Sequence, residues 1–169
     1  MITQRSFDTE LAEQLGTQVN NAVLGRIYAA RGVSPDQLAS PLSALARPGT
    51  MQGMATAVEL LISSLKTEQR IVIVADFDVD GATSCALLMR GLTALGFTQV
   101  DYLVPNRFDD GYGLTPNIAE QVAQRGCDLL ITVDNGITSL AGVERAHELD
   151  MQVLITDHHL PAPLLPDAD

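Results

Sequence analysis

Three aspartates stand at alternate positions in Asp76-Phe77-Asp78-Val79-Asp80-Gly81, and two further polar clusters recur downstream, Asp134-Asn135-Gly136 and Asp157-His158-His159. Carboxylates brought together raise one another's pKa and repel, so a convergent set of them needs compensating positive charge. Divalent cations supply it. Oxygen ligands joined by one or two imidazoles suit Mn2+ or Mg2+ better than a thiolate-seeking metal, and a pair of such ions can clamp the attacking and leaving oxygens of a phosphodiester. Each cluster also has a plainer reading, because an aspartate after a strand is commonly a turn former or helix cap. That reading suits Asp134 taken alone before Asn-Gly, and Asp109 and Asp110 in a loop, and a lone histidine such as His147 is most simply structural. The plain reading weakens when three clusters fall at equivalent places in one fold.

The surrounding pattern puts them at such places. Each cluster follows a short apolar run: Ile71-Val72-Ile73-Val74-Ala75, Leu129-Leu130-Ile131-Thr132-Val133 and Val153-Leu154-Ile155-Thr156. These β-branched runs read as buried strands, predicted over 71–75, 128–133 and 151–156, with another over 99–104. Helical periodicity predicts helices over 82–95, 115–125 and 138–149. Thr115-Pro116 opens the second as cap and first residue, and Gly96 and Gly126 sit where helix ends favour glycine. Strands alternating with helices imply an α/β, Rossmann-like parallel sheet with helices on both faces. In such a sheet ligands bind outside the carboxyl ends of the strands, and neighbouring strands lie about 4.8 Å apart, so side chains from adjacent ends can meet.

The part preceding the sheet reads as helical, giving an N-terminal helical segment over 1–66 and the α/β domain over 67–169. A helix over 20–31 carries Val23, Leu24, Ile27 and Tyr28 as its apolar positions, and Gly32 follows as a stop. Ser34-Pro35-Asp36 starts a short helix ending near Pro41, residues 41–52 form a loop, and a helix over 53–66 places Ala57, Leu60, Leu61 and Leu65 on one face. These helices are expected to cover one edge of the sheet.

Two other chemistries use nearly the same letters as the first cluster. A calcium loop of the D-x-D-x-D-G type requires a glutamate at its twelfth position, which here is Leu87, and an entering helix where this chain has a strand. A phosphatase of the D-x-D-G-T type finds Ala82 in place of the threonine. It also needs a downstream lysine, and the one lysine of the chain, Lys66, lies upstream.

The 169 residues, 46% of them hydrophobic, suffice for one ordinary domain with a real core. No apolar run approaches the roughly 20 residues a membrane helix requires, and the polar start, MITQRSFDTE, is not a signal peptide, so a cytoplasmic location without a membrane partner is expected. Cys85 and Cys127 lie in apolar segments without C-x-x-C spacing and read as buried reduced thiols. A formal net charge of −11 is awkward for a nucleic-acid protein. The substrate is small, or metal ions and another part of the molecule bring the positive charge.

Taken in order, Asp76-Phe77-Asp78-Val79-Asp80-Gly81, Val133-Asp134-Asn135-Gly136-Ile137 and Asp157-His158-His159 resemble the first three motifs of the DHH phosphoesterase superfamily. Gly81-Ala82-Thr83-Ser84 and the stretch from Pro105-Asn106-Arg107-Phe108 through Asp109-Asp110-Gly111-Tyr112-Gly113-Leu114 are similar to the superfamily's single-stranded-DNA-specific 5′→3′ exonucleases, as are the 24–32 and 53–61 segments. The resemblance implies metal-dependent phosphodiester hydrolysis in DNA repair and recombination that releases 5′-mononucleotides. It implies a two-metal site for Mn2+ or Mg2+ with Asp78, Asp80, Asp134 and His158 as ligands, Asp134 bridging. Asp76 and Asp157 would then orient the site, and His159 would contact the scissile phosphate. Arg107 is our own candidate for a phosphate contact. The partners implied are single-stranded DNA, a single-strand-binding protein and a helicase. Val79 stands where an alanine is expected, and Val74 stands where the oligoribonuclease and exopolyphosphatase branches carry a histidine. The family pattern continues with a fourth-motif aspartate and a second domain, so the chain is expected to be the N-terminal fragment of a longer enzyme, with little activity by itself. Two alternatives are a non-catalytic DHH-like assembly module and a phosphoesterase of short oligonucleotides.

Overall fold

Ile71–Ala75 is buried at every position, as is Leu129–Val133, and the two strands run side by side, Ile71 opposite Leu129 and Ala75 opposite Val133. Strands so fully covered belong at the centre of a sheet with helices on both faces, and that is the arrangement in the computed structural model, which describes residues 5–38 and 45–169. Four parallel strands, β1 (Ile71–Ala75), β2 (Val100–Leu103), β3 (Leu129–Val133) and β4 (Gln152–Thr156), lie in the order β2-β1-β3-β4. The α/β class and the parallel sheet expected from the alternation are both present.

The helices are α1 (Thr9–Gln18), α2 (Ala22–Ala30), α3 (Met54–Lys66), α4 (Val79–Ala94), α5 (Pro116–Ala123) and α6 (Leu140–Glu148). Side chains of alternating parity in β1 point to opposite faces and form two cores. On one face Val72, Val74 and Leu130 pack with Ile118, Ala119 and Val122 of α5 and Val143 and Ala146 of α6. On the other, Ile71, Ile73, Leu129 and Ile131 pack with Cys85 and Leu92 of α4 and with Ala57, Leu60 and Leu61 of α3. Full burial of a side chain such as Ile73 is worth about 1.5–3 kcal/mol.

Two expectations need correction. The helix over 53–66 covers a face of the sheet rather than an edge, and the chain divides into compact units at Met51 and Gln52, so α3 goes with the sheet. Secondly, α4 begins at Val79, three residues before the expected position 82. The reason is local: Asp78 is its N-cap, its carboxylate accepting the Gly81 N–H at 3.0 Å.

In the N-terminal unit, α1 and α2 pack through small residues. A Cβ on Gly25 would lie 2.3 Å from the Ala12 carbonyl oxygen, so the α2 backbone touches α1 directly around Ala12, Leu15 and Ala29. Of the four apolar positions named from the sequence, Tyr28 packs on this cluster, while Val23, Leu24 and Ile27 are exposed. The helix expected from Ser34 is a short 3-10 turn, Pro35–Leu38, and its expected end at Pro41 lies outside the described residues, as does the start of the 41–52 loop; Pro48–Thr50 forms a second 3-10 turn. Among the described residues no helix is long and apolar enough to cross a membrane.

The strand order positions the site. From β1 the chain passes by α4 to β2 on one side, then returns by α5 to β3 on the other side of β1. The carboxyl ends of β1 and β3 therefore flank the point where the winding reverses, the crevice where open α/β sheets receive ligands. Asp76 follows β1, and Asp134 follows β3.

Candidate metal centre

Asp76 is buried at the end of β1, its N–H donating to the Val133 carbonyl at 3.3 Å and its Oδ1 accepting the Phe77 N–H at 2.7 Å. The chain then turns into α4 in so little space that Gly81 is obligatory: a Cβ there would stand 2.2 Å from the Asp76 carbonyl oxygen. This close approach seats the amino end of α4, with its partial positive charge, beside the aspartates. The Gly81 N–H foremost, working against burial, holds the Asp78 carboxyl below the usual range. Asp80 is exposed in the first turn of α4.

Asp134 takes a left-handed backbone, φ 62°, uncommon outside glycine. Its N–H donates to the Thr156 carbonyl at 3.0 Å. Asn135 fixes the turn from beneath, fully buried, its Nδ2 donating to the carbonyls of Val74 at 3.1 Å and Val133 at 2.9 Å and so tying the ends of β1 and β3 together. Gly136 follows at φ 111°, where a Cβ would meet Thr132 Oγ1 at 2.6 Å. The carboxylate thus presented is only 5% exposed. Burial, with the Asp78 charge adding to it, pushes the Asp134 pKa up against the opposing hydrogen bond from His158. A carboxylate whose anionic form is disfavoured in this way is one that a cation would stabilise.

After β4, Asp157 organises the histidines. Its Oδ2 accepts the Ile137 N–H at 3.0 Å, and its Oδ1 accepts the His158 N–H at 2.7 Å, the His159 N–H at 3.0 Å and the His159 ring Nδ1–H at 2.7 Å. Burial alone would raise its pKa, but these donors together hold it below the ordinary value. Asp157 in turn raises the His159 pKa, chiefly through the ring hydrogen bond. With Nδ1 committed to Asp157, Nε2 is the free nitrogen of that ring. His158 Nε2 lies 2.8 Å from Asp134 Oδ1.

Two groups of ligand atoms emerge, each gathered within 4.8 Å: Asp76, Asp78 and Asp134, and Asp134, His158 and His159. Asp134 belongs to both. The donor set is oxygen and imidazole nitrogen without thiolate, the chemistry of a hard divalent cation. Both cysteines are buried, and burial pushes the Cys127 thiol up to about 12. Of the residues singled out from the sequence, Asp76, Asp78, Asp134, His158 and His159 are brought together, and Asp157 supports His159 directly. Asp80 lies outside both groups, while Asp76 lies inside one.

A cavity of about 430 Å³ opens beside the aspartates, lined by Asp76, Phe77, Asp78, Arg107, Tyr112 and His159 among others. Arg107 is therefore placed at the site. Its guanidinium lies over the Phe77 ring, 4.7 Å from the centroid. Sequence reasoning missed Tyr112, Phe77 and the bracing role of Asn135. Tyr112 Oη is 3.5 Å from the Asp134 carbonyl oxygen, its ring meets His159 edge to face, and burial foremost, then the carboxylates of Asp76, Asp157, Asp134 and Asp78, raise its pKa. The available signal was its place between Gly111 and Gly113, both of which adopt positive φ to aim the loop inward.

The chain is similar to several known proteins. The chain is 48% identical over 163 residues to the single-stranded-DNA-specific exonuclease RecJ of Dickeya dadantii, an alignment covering 96% of this chain and 27% of the relative. It superposes with a TM-score of 0.65 on an exonuclease RecJ bound to manganese, at 36% identity, covering 70% of this chain and 30% of that one. It superposes at 0.61 on RecJ in complex with Mn2+ from Thermus thermophilus, at 28% identity, covering 95% and 23%. The chain thus spans about a quarter of the length of these RecJ proteins, and the shared region is the one that carries the three clusters. Residues 70–169 match the DHH family, N-terminal domain, and the chain belongs to the DHH family.

Proposed function

We propose that this chain carries the metal-binding face of a phosphodiesterase that removes 5′-mononucleotides from single-stranded DNA in the 5′→3′ direction, in repair and recombination. The observation that carries the reading is the pair of ligand groups sharing Asp134 at the switch point of the sheet. Asp76, Asp78 and Asp134 would hold one divalent cation, and Asp134 and His158 would hold the other, with Asp80 adding negative potential from the first turn of α4. Mn2+ or Mg2+ bound there would activate water and neutralise charge developing on the phosphoryl oxygens.

The remaining residues do their work through position. Asp157 fixes the His159 ring and favours its protonated form, so that the ring can donate from Nε2 to a phosphate oxygen. Arg107 offers a second cationic group on the same cavity. Asn135 and Gly81 hold the strand ends and the helix terminus at the spacing the ligands require. In a RecJ-like protein of full length, a fourth-motif ligand and further DNA-binding surface would come from outside the region this chain matches. A single-strand-binding protein and a helicase are the partners proposed for it, and the cytoplasm its location.

The test is transfer of function. The residues of the Dickeya dadantii relative that align with this chain are exchanged for it, and release of mononucleotides from 5′-phosphorylated single-stranded DNA is followed with and without Mn2+. Metal-dependent release that disappears with Asp134→Ala is expected, whereas a well-folded chimera with no nuclease activity would contradict the reading. The 169 residues alone are expected to bind Mn2+ weakly and degrade DNA slowly; robust digestion by them would overturn that expectation.

A further inference from the structure

Arg107 is held in an unusual way for an arginine beside acidic residues. Arg125 lies 3.0 Å from Asp101 and Arg145 lies 2.8 Å from Glu148. Among the described residues Arg107 has no carboxylate within 4.0 Å, although Asp76, Asp78 and Asp157 line the same cavity. What it has is the face of Phe77, 4.7 Å away. Phe77 is itself fixed between two of the clustered aspartates, its N–H bound to Asp76 Oδ1.

The loop bearing Arg107 is braced separately. Asp110 accepts the Asn106 N–H at 2.9 Å, the Asn117 amide at 2.9 Å and the Gln121 amide at 3.1 Å, which pins the loop to α5. The backbone of Arg107 is thus anchored from one side and its guanidinium from the other. A cation over a ring keeps its in-plane N–H donors unspent, whereas a carboxylate partner would occupy two of them and cancel the charge.

We propose that Phe77 is a positioning residue that holds the Arg107 guanidinium at the mouth of the cavity, uncommitted to any carboxylate, to grip a phosphate of the substrate backbone. The proposal rests on the phosphodiester reading above and goes beyond it by assigning a task to the residue between the first two aspartates. The ring acts through Arg107 and touches neither metal nor reacting atoms.

The probe is a 5′-phosphorylated oligothymidylate with non-hydrolysable phosphorothioate linkages, titrated in Mn2+ by fluorescence anisotropy into the Dickeya dadantii chimera described above. Phe77→Leu, which keeps an apolar side chain without a π face, is expected to weaken binding about two- to fivefold. Phe77→Tyr is expected to bind as the wild type does. In the Arg107→Ala background, Phe77→Leu should add no further loss, because the ring works only through the guanidinium. An independent reading comes from the Arg107 Nε–Hε resonance, shifted by the Phe77 ring current in the wild type and in Phe77→Tyr and returned to its ordinary position in Phe77→Leu. Equal binding by Phe77→Leu and the wild type, equal loss in the Leu and Tyr variants, losses that multiply with Arg107→Ala, or an unshifted wild-type resonance would each overturn the proposal. Failure of the wild type to bind the oligonucleotide would instead overturn the phosphodiester reading, and the proposal with it.

Discussion

Replacing Gly81 by alanine tests whether the close seating of α4 against β1 builds the site. The added Cβ would lie 2.2 Å from the Asp76 carbonyl oxygen, 2.6 Å from its carbon and 2.8 Å from the Asp76 Cα, where ordinary contact begins at 3.4 Å. All three are backbone atoms of a residue whose N–H is tied to Val133, so no rotamer change can relieve the clash. The helix terminus must withdraw by about 1 Å, and overpacking of this kind costs about 3 kcal/mol. Alanine returns about 1 kcal/mol as a better helix former, leaving a net loss of about 2 kcal/mol. Gly91, on the same helix, has nothing within 4 Å of where a Cβ would stand and supplies the control, since Gly91→Ala should gain about 1 kcal/mol. Urea unfolding followed by circular dichroism reads both values. The withdrawal also carries the Asp78 carboxylate, capped by the Gly81 N–H, away from Asp76 and Asp134, so Mn2+ affinity should fall in Gly81→Ala and stay level in Gly91→Ala. If the two variants prove equally stable and bind Mn2+ equally, the argument that this contact positions the ligands is wrong.

Other outcomes follow from single contacts. Asn135→Leu removes the side-chain hydrogen bonds to the Val74 and Val133 carbonyls, the Val133 oxygen keeping the Asp76 N–H, and should cost about 1–3 kcal/mol in urea unfolding. Asp157→Ala releases three backbone N–H groups and the His159 ring; His159 should then titrate at a lower pH, as followed by NMR of its ring protons. The Cys127 thiol, pushed up to about 12 by burial, binds its proton more tightly in the folded chain than in the unfolded one. Its contribution to stability is therefore complete below the ordinary thiol range and is lost as pH rises from there toward about 12. Urea unfolding between pH 8 and pH 10.5 should show a steeper fall for the wild type than for Cys127→Val, by up to about 1.4 kcal/mol per pH unit.

The sheet was legible because β1 and β3 are buried at every position and, like β4, carry apolar runs rich in β-branched residues, and the three clusters were legible because each follows such a run. The start of α4 was misplaced because Asp78 serves at once as cap and as candidate ligand; counting it with the cluster hid its role in beginning the helix. The contact face of α2 was not legible for a different reason. Val23, Leu24 and Ile27 form a clear apolar stripe, yet the helices meet through Gly25 and Ala29, whose small size permits backbone contact that hydropathy does not register. Strand order cannot be read from strand patterns, so the placing of β1 beside β3, which makes Asp134 a member of both ligand groups, came only with the structure. The same holds for Tyr112 and Phe77, whose parts depend on contacts across 22 and 30 positions of chain rather than on any local motif.

The central claim is that one buried aspartate serves two cation sites. Mn2+ titration of the chain by electron paramagnetic resonance, comparing the wild type with Asp134→Ala, Asp78→Ala and His158→Ala, addresses it directly. The account predicts that Asp134→Ala abolishes all specific binding, while Asp78→Ala and His158→Ala each weaken one site and leave the other. Undiminished Mn2+ binding by a folded Asp134→Ala chain would contradict it.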